Sequence, residues 1–261
     1  MAGPLSYLLC GTPRTGSTLL CGLLTSTGVA GRPESYFRQP DEHAWARRLG
    51  VPVAGDGSFD YRRFARAVRV AGSTPNGVFA ARVMWGTVQR IVDGLGASPR
   101  RRDLDVLVDA FGPLRMVHLG RDDVVGQAVS WARAEQTGYW QEGDRSSAQL
   151  GFEFGQVADL VWTIRAHNAA WSTWFAEEGV EPHSVTYEDV TGNPRQAVHG
   201  ILAHLGIESP VTWRPAARQR RQADEVNADW MRRYRAAQQR SSDADGVDGH
   251  TGGEEPQRWM P

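Results

Sequence analysis

A glycine-bounded loop near the start of the chain contains residue types that bind phosphate or sulfate. The apolar run Leu5–Cys10 predicts a buried strand, and leucines at helical spacing follow the loop Gly11–Gly16. A strand, a glycine loop and a helix N-terminus present backbone N–H groups and partial positive charge to an anion. Arg14 adds a planar cation. The same order occurs in ordinary strand-to-helix turns. The hydroxyl donors of Thr12, Thr15, Ser17 and Thr18, clustered with Arg14, favour an anion site.

The candidate anion-binding residues of this loop are Thr12, Pro13, Arg14, Thr15, Gly16, Ser17 and Thr18. Ser17 and Thr18 stand at the expected N-cap of the following helix. The spacing of Gly11 and Gly16 matches a Walker A loop, but Ser17 occupies the lysine position and the cation is Arg14. A nucleoside triphosphate with Mg²⁺ would lack its usual lysine. A ligand whose terminal group is transferred without a metal fits better.

A second strand-to-helix turn repeats this arrangement. Leu114–Leu119 predicts a strand, and Val124–Gln136 predicts a helix after the intervening turn. Arg121 lies in the turn and Ser130 lies further along the helix, so the two side chains and the helix N-terminus can hold another phosphate. The alternative is that Arg121 forms an ion pair with one of the two aspartates that follow it.

Glu34 is the candidate general base. It lies in a loop beside Tyr36 and Phe37, and aromatic neighbours that exclude water raise the pKa of a carboxylate. Both aromatic residues are therefore also candidate substrate contacts. The alternative is a solvated loop acid with no chemical role.

Arg82 stands inside a second predicted strand, Val78–Trp85. A buried cation is costly without a partner, so Arg82 either reaches out at the strand end or contacts an anion. The carboxyl ends of strands border the crevice where open α/β sheets bind ligands. Trp85 at this strand end and Trp140 after the predicted helix Val124–Gln136 are candidate walls for a sugar or ring substrate.

Composition limits the class of protein. The 261 residues allow one large domain or two small ones, and a net charge of −1 does not favour nucleic-acid binding. All 29 basic residues are Arg, so a Schiff-base lysine is excluded. Cys10 and Cys21 lie among apolar residues, so we predict that both are free thiols in the core and that the protein occupies a reducing compartment. Without a signal peptide or a membrane-length apolar run, we expect a cytoplasmic protein.

Further elements follow from periodicity and turn signals. The predicted helices are Phe59–Ala71, Val88–Leu95, Leu104–Phe111, Leu150–Phe175, Pro194–Leu205 and Ala228–Ala237. Val185–Tyr187 is a predicted short strand, and Asp41–Asp56 is predicted to be irregular. Residues 1–240 form the predicted domain, and Ser241–Pro261 is a predicted disordered tail. A basic loop, Arg218–Asp224, precedes the last helix.

Taken in order, these motifs resemble the bacterial trehalose 2-sulfotransferase family, whose members use 3′-phosphoadenosine 5′-phosphosulfate (PAPS). The likeness extends from about Ser6 to Arg235. Its motifs are Arg14–Leu20, Gly28–Gly31 with Pro33 and Phe37, Pro75–Gly77 with Met84 and Trp85, Arg121 with Asp123–Val125, Gln127–Ser130, Gln136 and Thr137 with Trp140, and Arg221–Asp224 with Trp230.

The resemblance implies one α/β domain, a three-layer sandwich around a central parallel sheet, related to the P-loop kinases. It implies that Thr12–Thr18 cradle the 5′-phosphosulfate, that Arg121 and Ser130 hold the 3′-phosphate, and that Arg221 closes over the nucleotide. The implied reaction moves a sulfuryl group, without a metal, to a hydroxyl of a sugar, glycolipid or hydroxylated metabolite, with Arg14 stabilising the charge. Relatives are homodimers.

One departure concerns the base. Alignment without gaps places the family's glutamate at Ser35, whereas this chain has Glu34, one position earlier. We expect a flexible loop to absorb this shift. The alternatives are a different base, a different acceptor or an inactive nucleotide-binding relative, and a P-loop kinase is the competing enzyme class. Relatives often have lysine at the position of Arg82, which supports an anion contact there.

Overall fold

A central sheet of parallel strands organises the fold, in a computed structural model that describes residues 5–138, 150–215 and 225–247. The strands are β1 (Ser6–Gly11), β2 (Phe79–Met84), β3 (Leu114–Gly120) and β4 (His183–Thr186), in the order β2-β1-β3-β4. Each neighbouring pair is parallel. Trp140, Arg221 and residues 248–261 lie outside the described residues.

Ten helices connect and cover these strands within the described ranges. They are α1 (Ser17–Ser26), α2 (Glu42–Arg48), α3 (Tyr61–Ala71), α4 (Thr87–Gly94), α5 (Asp103–Phe111), α6 (Val124–Thr137), α7 (Phe154–Glu178), α8 (Tyr187–Gly192), α9 (Pro194–Leu205) and α10 (Glu225–Val247).

Helices lie on both faces of the sheet because alternate strand residues point to opposite sides. Along β1, Leu8 and Cys10 pack into an aromatic-rich core with α3, α5 and the end of α7. Tyr7 and Leu9 pack on the other face with α1 and α9. A third apolar cluster joins α6, α7 and α10. This is the predicted three-layer α/β arrangement.

The strand order creates a crevice at the carboxyl ends of β1 and β3. After β1 the chain builds β2 on one side and later β3 on the other. In a parallel sheet, such a reversal opens a crevice at the carboxyl ends of the strands. The loop after β1 and the turn after β3 both lie at this edge, so the topology brings the two predicted anion-binding turns together.

The prediction that Asp41–Asp56 is irregular is wrong, because Glu42–Arg48 forms helix α2. The Glu42 carboxylate is fully buried and accepts hydrogen bonds from the Tyr61 hydroxyl (2.9 Å) and Arg90 Nη2 (2.8 Å). An acidic residue at a core position breaks the apolar periodicity that reveals a helix in the sequence.

Two further differences concern the ends of elements. Tyr187 begins α8 and does not end a strand, because Thr186 and Asp189 form a capping box there. Helix α10 continues to Val247, beyond residue 240, where the disordered tail is predicted to begin. Residues 241–246 are mostly Ser, Asp and Gly, which are weak helix formers, so local propensity did not indicate this extension.

In the part of the chain that the structure describes, no helix combines the length and the apolar character needed to cross a membrane.

Candidate active site

The loop after β1 leaves the first N–H groups of α1 without a side-chain cap. The N-cap residue is Gly16, with φ of 78°, and no side chain hydrogen-bonds to the helix start. The prediction of Ser17–Thr18 as the cap is therefore wrong. A Cβ atom at Gly16 would lie 2.4 Å from the Tyr187 ring, so the position requires glycine. Uncapped N–H groups at a helix start favour a bound anion.

The loop hydroxyls fall into two pairs. Thr12 Oγ1 donates to Asn168 Oδ1 (3.1 Å), and Thr15 Oγ1 donates to the Thr12 carbonyl (3.0 Å), both in the protein interior. Their predicted role as hydroxyl donors to a ligand is wrong, since burial commits both hydroxyls to shaping the loop. The hydroxyls of Ser17 and Thr18 donate no hydrogen bond within the described residues and keep their protons for another acceptor.

Arg82 reaches the start of α1 from the neighbouring strand β2. Its Nη1 donates to Thr18 Oγ1 (2.9 Å) and to Ser17 Oγ (3.2 Å), and its Nε donates to Ser35 Oγ (2.7 Å). The residue is only 8% exposed. All of these partners are neutral hydroxyls.

No carboxylate among the described residues forms an ion pair with Arg82. A buried cation without a counter-charge carries a large desolvation cost. An anion bound at the start of α1 would supply that counter-charge. The observed environment therefore fits the predicted contact between Arg82 and an anionic ligand.

Arg14 joins the two predicted anion-binding turns. Its Nε donates to Ser130 Oγ on α6 (3.0 Å), and its carbonyl accepts from Arg121 Nη1 (3.3 Å). Arg14 has φ of 67°, the sole positive value at a non-glycine position of the described chain. The structure thus brings Arg14, Arg121 and Ser130 into one cluster across the crevice.

Arg121 remains free of an acidic partner within the described ranges. Its guanidinium lies 4.6 Å from the centroid of the Tyr187 ring, and its buried Nε has no hydrogen-bond partner. The alternative of an ion pair with Asp122 or Asp123 is not observed, because Asp123 instead caps α6 by accepting from the Gly126 N–H (3.0 Å). The unpartnered Nε and the lack of an acidic partner within the described ranges fit a bound phosphate.

Sequence analysis missed three residues that support the loop. Gln127 Nε2 donates to the Pro13 carbonyl (2.7 Å), and Trp171 Nε1 donates to the Gly11 carbonyl (3.0 Å). Tyr187 packs between the Gly11–Thr18 loop and the turn after β3. Gln127 lies within a sequence motif shared with the family, and that motif could have indicated it. Trp171 and Tyr187 contact the loop from distant elements, and such contacts leave no periodic pattern in the sequence.

Residues 34 and 35 form a short extended segment beside β2. The Arg82 N–H donates to the Glu34 carbonyl (3.0 Å), and Glu34 pairs with Ala81 in a parallel bridge. Adjacent residues of an extended chain point to opposite sides, and here Ser35 faces Arg82. The structure therefore places Ser35, and not Glu34, opposite Arg82, and the catalytic role of Glu34 stays a prediction. The exposed Glu34 carboxylate makes no hydrogen bond or ion pair with the described residues.

Burial and nearby charges shift the pKa of the Cys21 thiol on α1. Burial raises the pKa of its thiol to about 12, while Arg82 acts to lower this pKa and Glu34 acts to raise it. Cys10 and Cys21 are both buried free thiols, as predicted for core residues.

Tyr36 and Phe37 are core residues, so their predicted contact with substrate is wrong. They are 2% and 1% exposed, and Phe37 packs edge-to-face against Phe64 at 5.7 Å. The two residues lie close to Glu34 in the sequence, and this closeness alone does not tell whether an aromatic side chain packs in the core or contacts a substrate. Trp85 is half-buried at the carboxyl end of β2, with its ring edge-to-face with Trp171 at 5.2 Å, and it stays a candidate.

Comparison with known families shows the family to which the chain belongs. The family model described as Stf0 sulphotransferase matches residues 6–237, which include both turns of the crevice. The chain belongs to the Stf0 sulphotransferase family. This Stf0 family member is thus a sulfotransferase, as predicted, and the P-loop kinase alternative is set aside.

Two relatives extend this assignment. The chain is 32% identical over 261 residues to a trehalose 2-sulfotransferase of Mycolicibacterium smegmatis, covering 91% of this chain and 97% of the relative. It is 31% identical over 260 residues to a trehalose 2-sulfotransferase of Mycobacterium tuberculosis, covering 88% and 94%.

Two solved structures have a weaker likeness to this chain. A sulfotransferase domain from the curacin biosynthetic pathway has a TM-score of 0.49 and 15% identity, covering 87% of this chain and 82% of that domain. A sulfotransferase from Alicyclobacillus acidocaldarius has a TM-score of 0.45 and 16% identity, covering 91% and 96%.

Proposed function

We propose that this sulfotransferase uses PAPS and binds the nucleotide in the crevice between β1 and β3. The observation that carries the proposal is the buried Arg82 guanidinium, which faces the uncapped start of α1 without a carboxylate partner in the described ranges. An anion bound there would balance the buried charge. A 5′-phosphosulfate supplies that charge at the position where the helix N–H groups point.

The two turns would hold opposite ends of the nucleotide. The loop residues Arg14, Ser17 and Thr18 supply donors for the 5′ end. Arg121, with an unpartnered Nε, and Ser130 supply donors for the 3′-phosphate. The Arg14–Ser130 hydrogen bond links the two ends, so both phosphates can be held by one cluster. The contact from Arg221 stays a prediction, since this residue lies outside the described residues.

PAPS supplies a sulfuryl group joined to a good leaving group. Charge develops on the bridging oxygen as the group moves, and the N–H groups of the loop together with Arg14 and Arg82 are placed to stabilise it. We propose Glu34 as the residue that takes the acceptor's proton. Its carboxylate is exposed and forms no hydrogen bond or ion pair with the described residues, so it is open to an acceptor hydroxyl.

For the acceptor we propose a hydroxyl of a sugar, in a free sugar, a glycolipid or a glycosylated metabolite. The two relatives are named for trehalose, which supports this class. Trp85, half-buried at the same edge of the sheet, offers an indole face against which a sugar ring can pack.

Incubation of the protein with sulfur-labelled PAPS and a panel of trehalose, other disaccharides, glycolipids and phenols tests this assignment. We expect labelled product with at least one sugar and none when ATP and Mg²⁺ replace PAPS. Product from phenols alone would contradict the proposed acceptor class, and no product from any acceptor would contradict the proposed function.

The base is tested separately with Glu34→Gln. This change should lower kcat about 100-fold because proton transfer loses its acceptor, while affinity for adenosine 3′,5′-bisphosphate (PAP) stays within a factor of about three. Glu177→Gln, a change of an exposed acid on α7, is the matched control and should leave kcat unchanged. Full activity of the Glu34 variant would assign the proton to another group.

A nucleotide-binding relative without catalysis is the second candidate. It is favoured by one observation: a hydroxyl, and not a carboxylate, faces Arg82 at position 35. This candidate predicts tight PAP binding by calorimetry together with no sulfated product from any acceptor in the panel.

A further inference from the structure

The buried Arg82 cation donates a hydrogen bond to the neutral hydroxyl of Ser35. Ser35 is 9% exposed and Arg82 is 8% exposed, and their Oγ and Nε atoms are 2.7 Å apart. A separation this short for an N–H···O contact is typical of a charge-assisted hydrogen bond. The contact is thus a strong one in a site from which water is largely excluded.

The guanidinium of Arg82 is fixed from two sides. Ser35 accepts from Nε on one side, and Ser17 and Thr18 accept from Nη1 on the other. Because the group is planar, two fixed nitrogens determine the orientation of the third. Nη2 has no hydrogen-bond partner among the described residues, and it is not sealed from solvent. One nitrogen therefore stays available for a ligand.

We propose that Ser35 is a positioning residue for sulfuryl transfer. Its hydroxyl holds the Arg82 plane so that the Nη2 edge donates to the anion at the start of α1. Ser35 itself acts through Arg82 and need not touch the nucleotide. This inference rests on the proposed function, because the anion it serves is the 5′ end of PAPS.

The role of Ser35 depends on the planar guanidinium of Arg82. A lysine at position 82 carries the charge on a rotatable ammonium and has no planar group to orient. Loss of the Ser35 hydroxyl should therefore lower kcat when residue 82 is Arg and should change kcat little when Arg82 is replaced by lysine. A general packing role for Ser35 would produce the same loss in both backgrounds.

The experiment measures kcat, KM for PAPS and the Kd for PAP in Ser35→Ala, Arg82→Lys and the double variant. Ser35→Ala should lower kcat about tenfold, the effect of one charged hydrogen bond, and should weaken PAP binding by less than the loss of the whole Arg82 guanidinium does. In the Arg82→Lys background, Ser35→Ala should have no further effect. Ser35→Thr keeps the hydroxyl and should retain most of the activity.

Ser73→Ala is the matched control. Ser73 is half-buried near the other end of β2 and donates to the Arg69 carbonyl, so it tests loss of a serine hydroxyl without any link to Arg82. Its kcat should equal that of the wild type. A wild-type kcat in Ser35→Ala, or an equal loss in the wild-type and Arg82→Lys backgrounds, would overturn the proposal.

Failure of the proposed function gives a different result. A wild-type protein that transfers nothing from PAPS refutes the function, and the same four proteins then report on Ser35 through thermal unfolding. The shifts in Tm of the two single variants should not add in the double variant, because each removes the same hydrogen bond. Additive shifts would overturn the role of Ser35 independently of activity.

Discussion

Arg14 holds a left-handed backbone conformation, with φ of 67°, in the middle of the proposed nucleotide loop. Such a conformation costs a residue with a Cβ on the order of 1 kcal/mol, and glycine avoids most of that cost. The loop therefore keeps a strained arginine where glycine would be more stable. We interpret the strain as the cost of placing a guanidinium beside Ser130 and the start of α1.

Arg14→Gly and Arg14→Ala separate these two effects. Both should weaken PAP binding by about 10- to 100-fold because both lose the guanidinium. Arg14→Gly should be more stable than Arg14→Ala by about 1 kcal/mol in urea unfolding, since both lose the same hydrogen bond and only Ala keeps the strain. Equal stability of the two variants would show that the backbone is not strained.

Arg82 illustrates a residue whose charge opposes the stability of the free protein. Arg82→Met fills a similar volume without a buried charge, so the free energy of unfolding should stay within about 1 kcal/mol of wild type or rise. Affinity for PAP should fall at least about tenfold. Denaturant unfolding and calorimetry measure both quantities on the same variant. A strong loss of stability without a loss of PAP affinity would make Arg82 structural.

At the scale of elements, the turn after β3 depends on the close approach of Gly126. A Cβ atom there would lie 2.3 Å from Asp123 Oδ2 and 3.0 Å from Arg121 Nη2. Gly126→Ala must displace the cap of α6 or the cation beside it. It should destabilise the protein by about 1–3 kcal/mol and weaken PAP binding.

Gly22 provides the matched control for that substitution. It lies exposed inside α1, and a Cβ atom there would meet no heavy atom within 4 Å. Gly22→Ala should stabilise the protein by about 0.5–1 kcal/mol through helix propensity, with PAP binding unchanged. Thermal unfolding of both variants gives the comparison, and a loss of stability in Gly22→Ala would show that general sensitivity of the helices explains both results.

The sequence predicted elements whose burial is regular along the chain. Strands β1 to β3 appear as apolar runs, and α9 has the predicted ends because Asn193 caps it and Gly206 follows it. Helix α2 escaped prediction because its buried Glu42 is satisfied by residues of α3 and α4, far along the chain. Pairing between distant elements has no local signature.

The candidate site was predicted to a similar extent and for the same reason. The cluster of Arg14, Arg121 and Ser130 follows from two strand-to-helix turns, and the position of Arg82 follows from a strand, which are local features. Which of Glu34 and Ser35 faces Arg82 depends on how that segment pairs with β2, and one residue of shift reverses the facing side. The sequence does not encode that register locally.

For the whole molecule, histidines link stability to pH. Burial lowers the pKa of His118, His167, His183 and His204 below their usual value near 6.5. The unfolded chain therefore binds protons that the native protein does not as the pH falls through that value. The stability contribution is fully present above about pH 6.5 and is lost as pH falls toward the lowered native pKa values.

Thermal unfolding at pH 7.5 and at pH 5.5 tests this linkage. We expect a lower Tm at the acidic pH, and a smaller drop in His118→Gln, which lacks one of the four groups. A Tm that stays constant between these values, or the same drop in the variant, would contradict the assignment of the pH dependence to burial of these imidazoles.

We also propose that the protein is a homodimer, which rests on the family resemblance. Light scattering coupled to gel filtration should give twice the chain mass of 28.8 kDa. A mass of one chain at all protein concentrations would make the monomer the active unit, without changing the assignment of the crevice.

The most direct measurement compares PAP with adenosine 5′-monophosphate by calorimetry in wild type and in Arg121→Ala. PAP has one more phosphate, so wild type should bind it at least about tenfold more tightly, through the charged hydrogen bonds of the turn after β3. Arg121→Ala should remove most of this difference while changing the affinity for the monophosphate little. Equal affinities of wild type for the two nucleotides would contradict a crevice that binds the nucleotide at both ends.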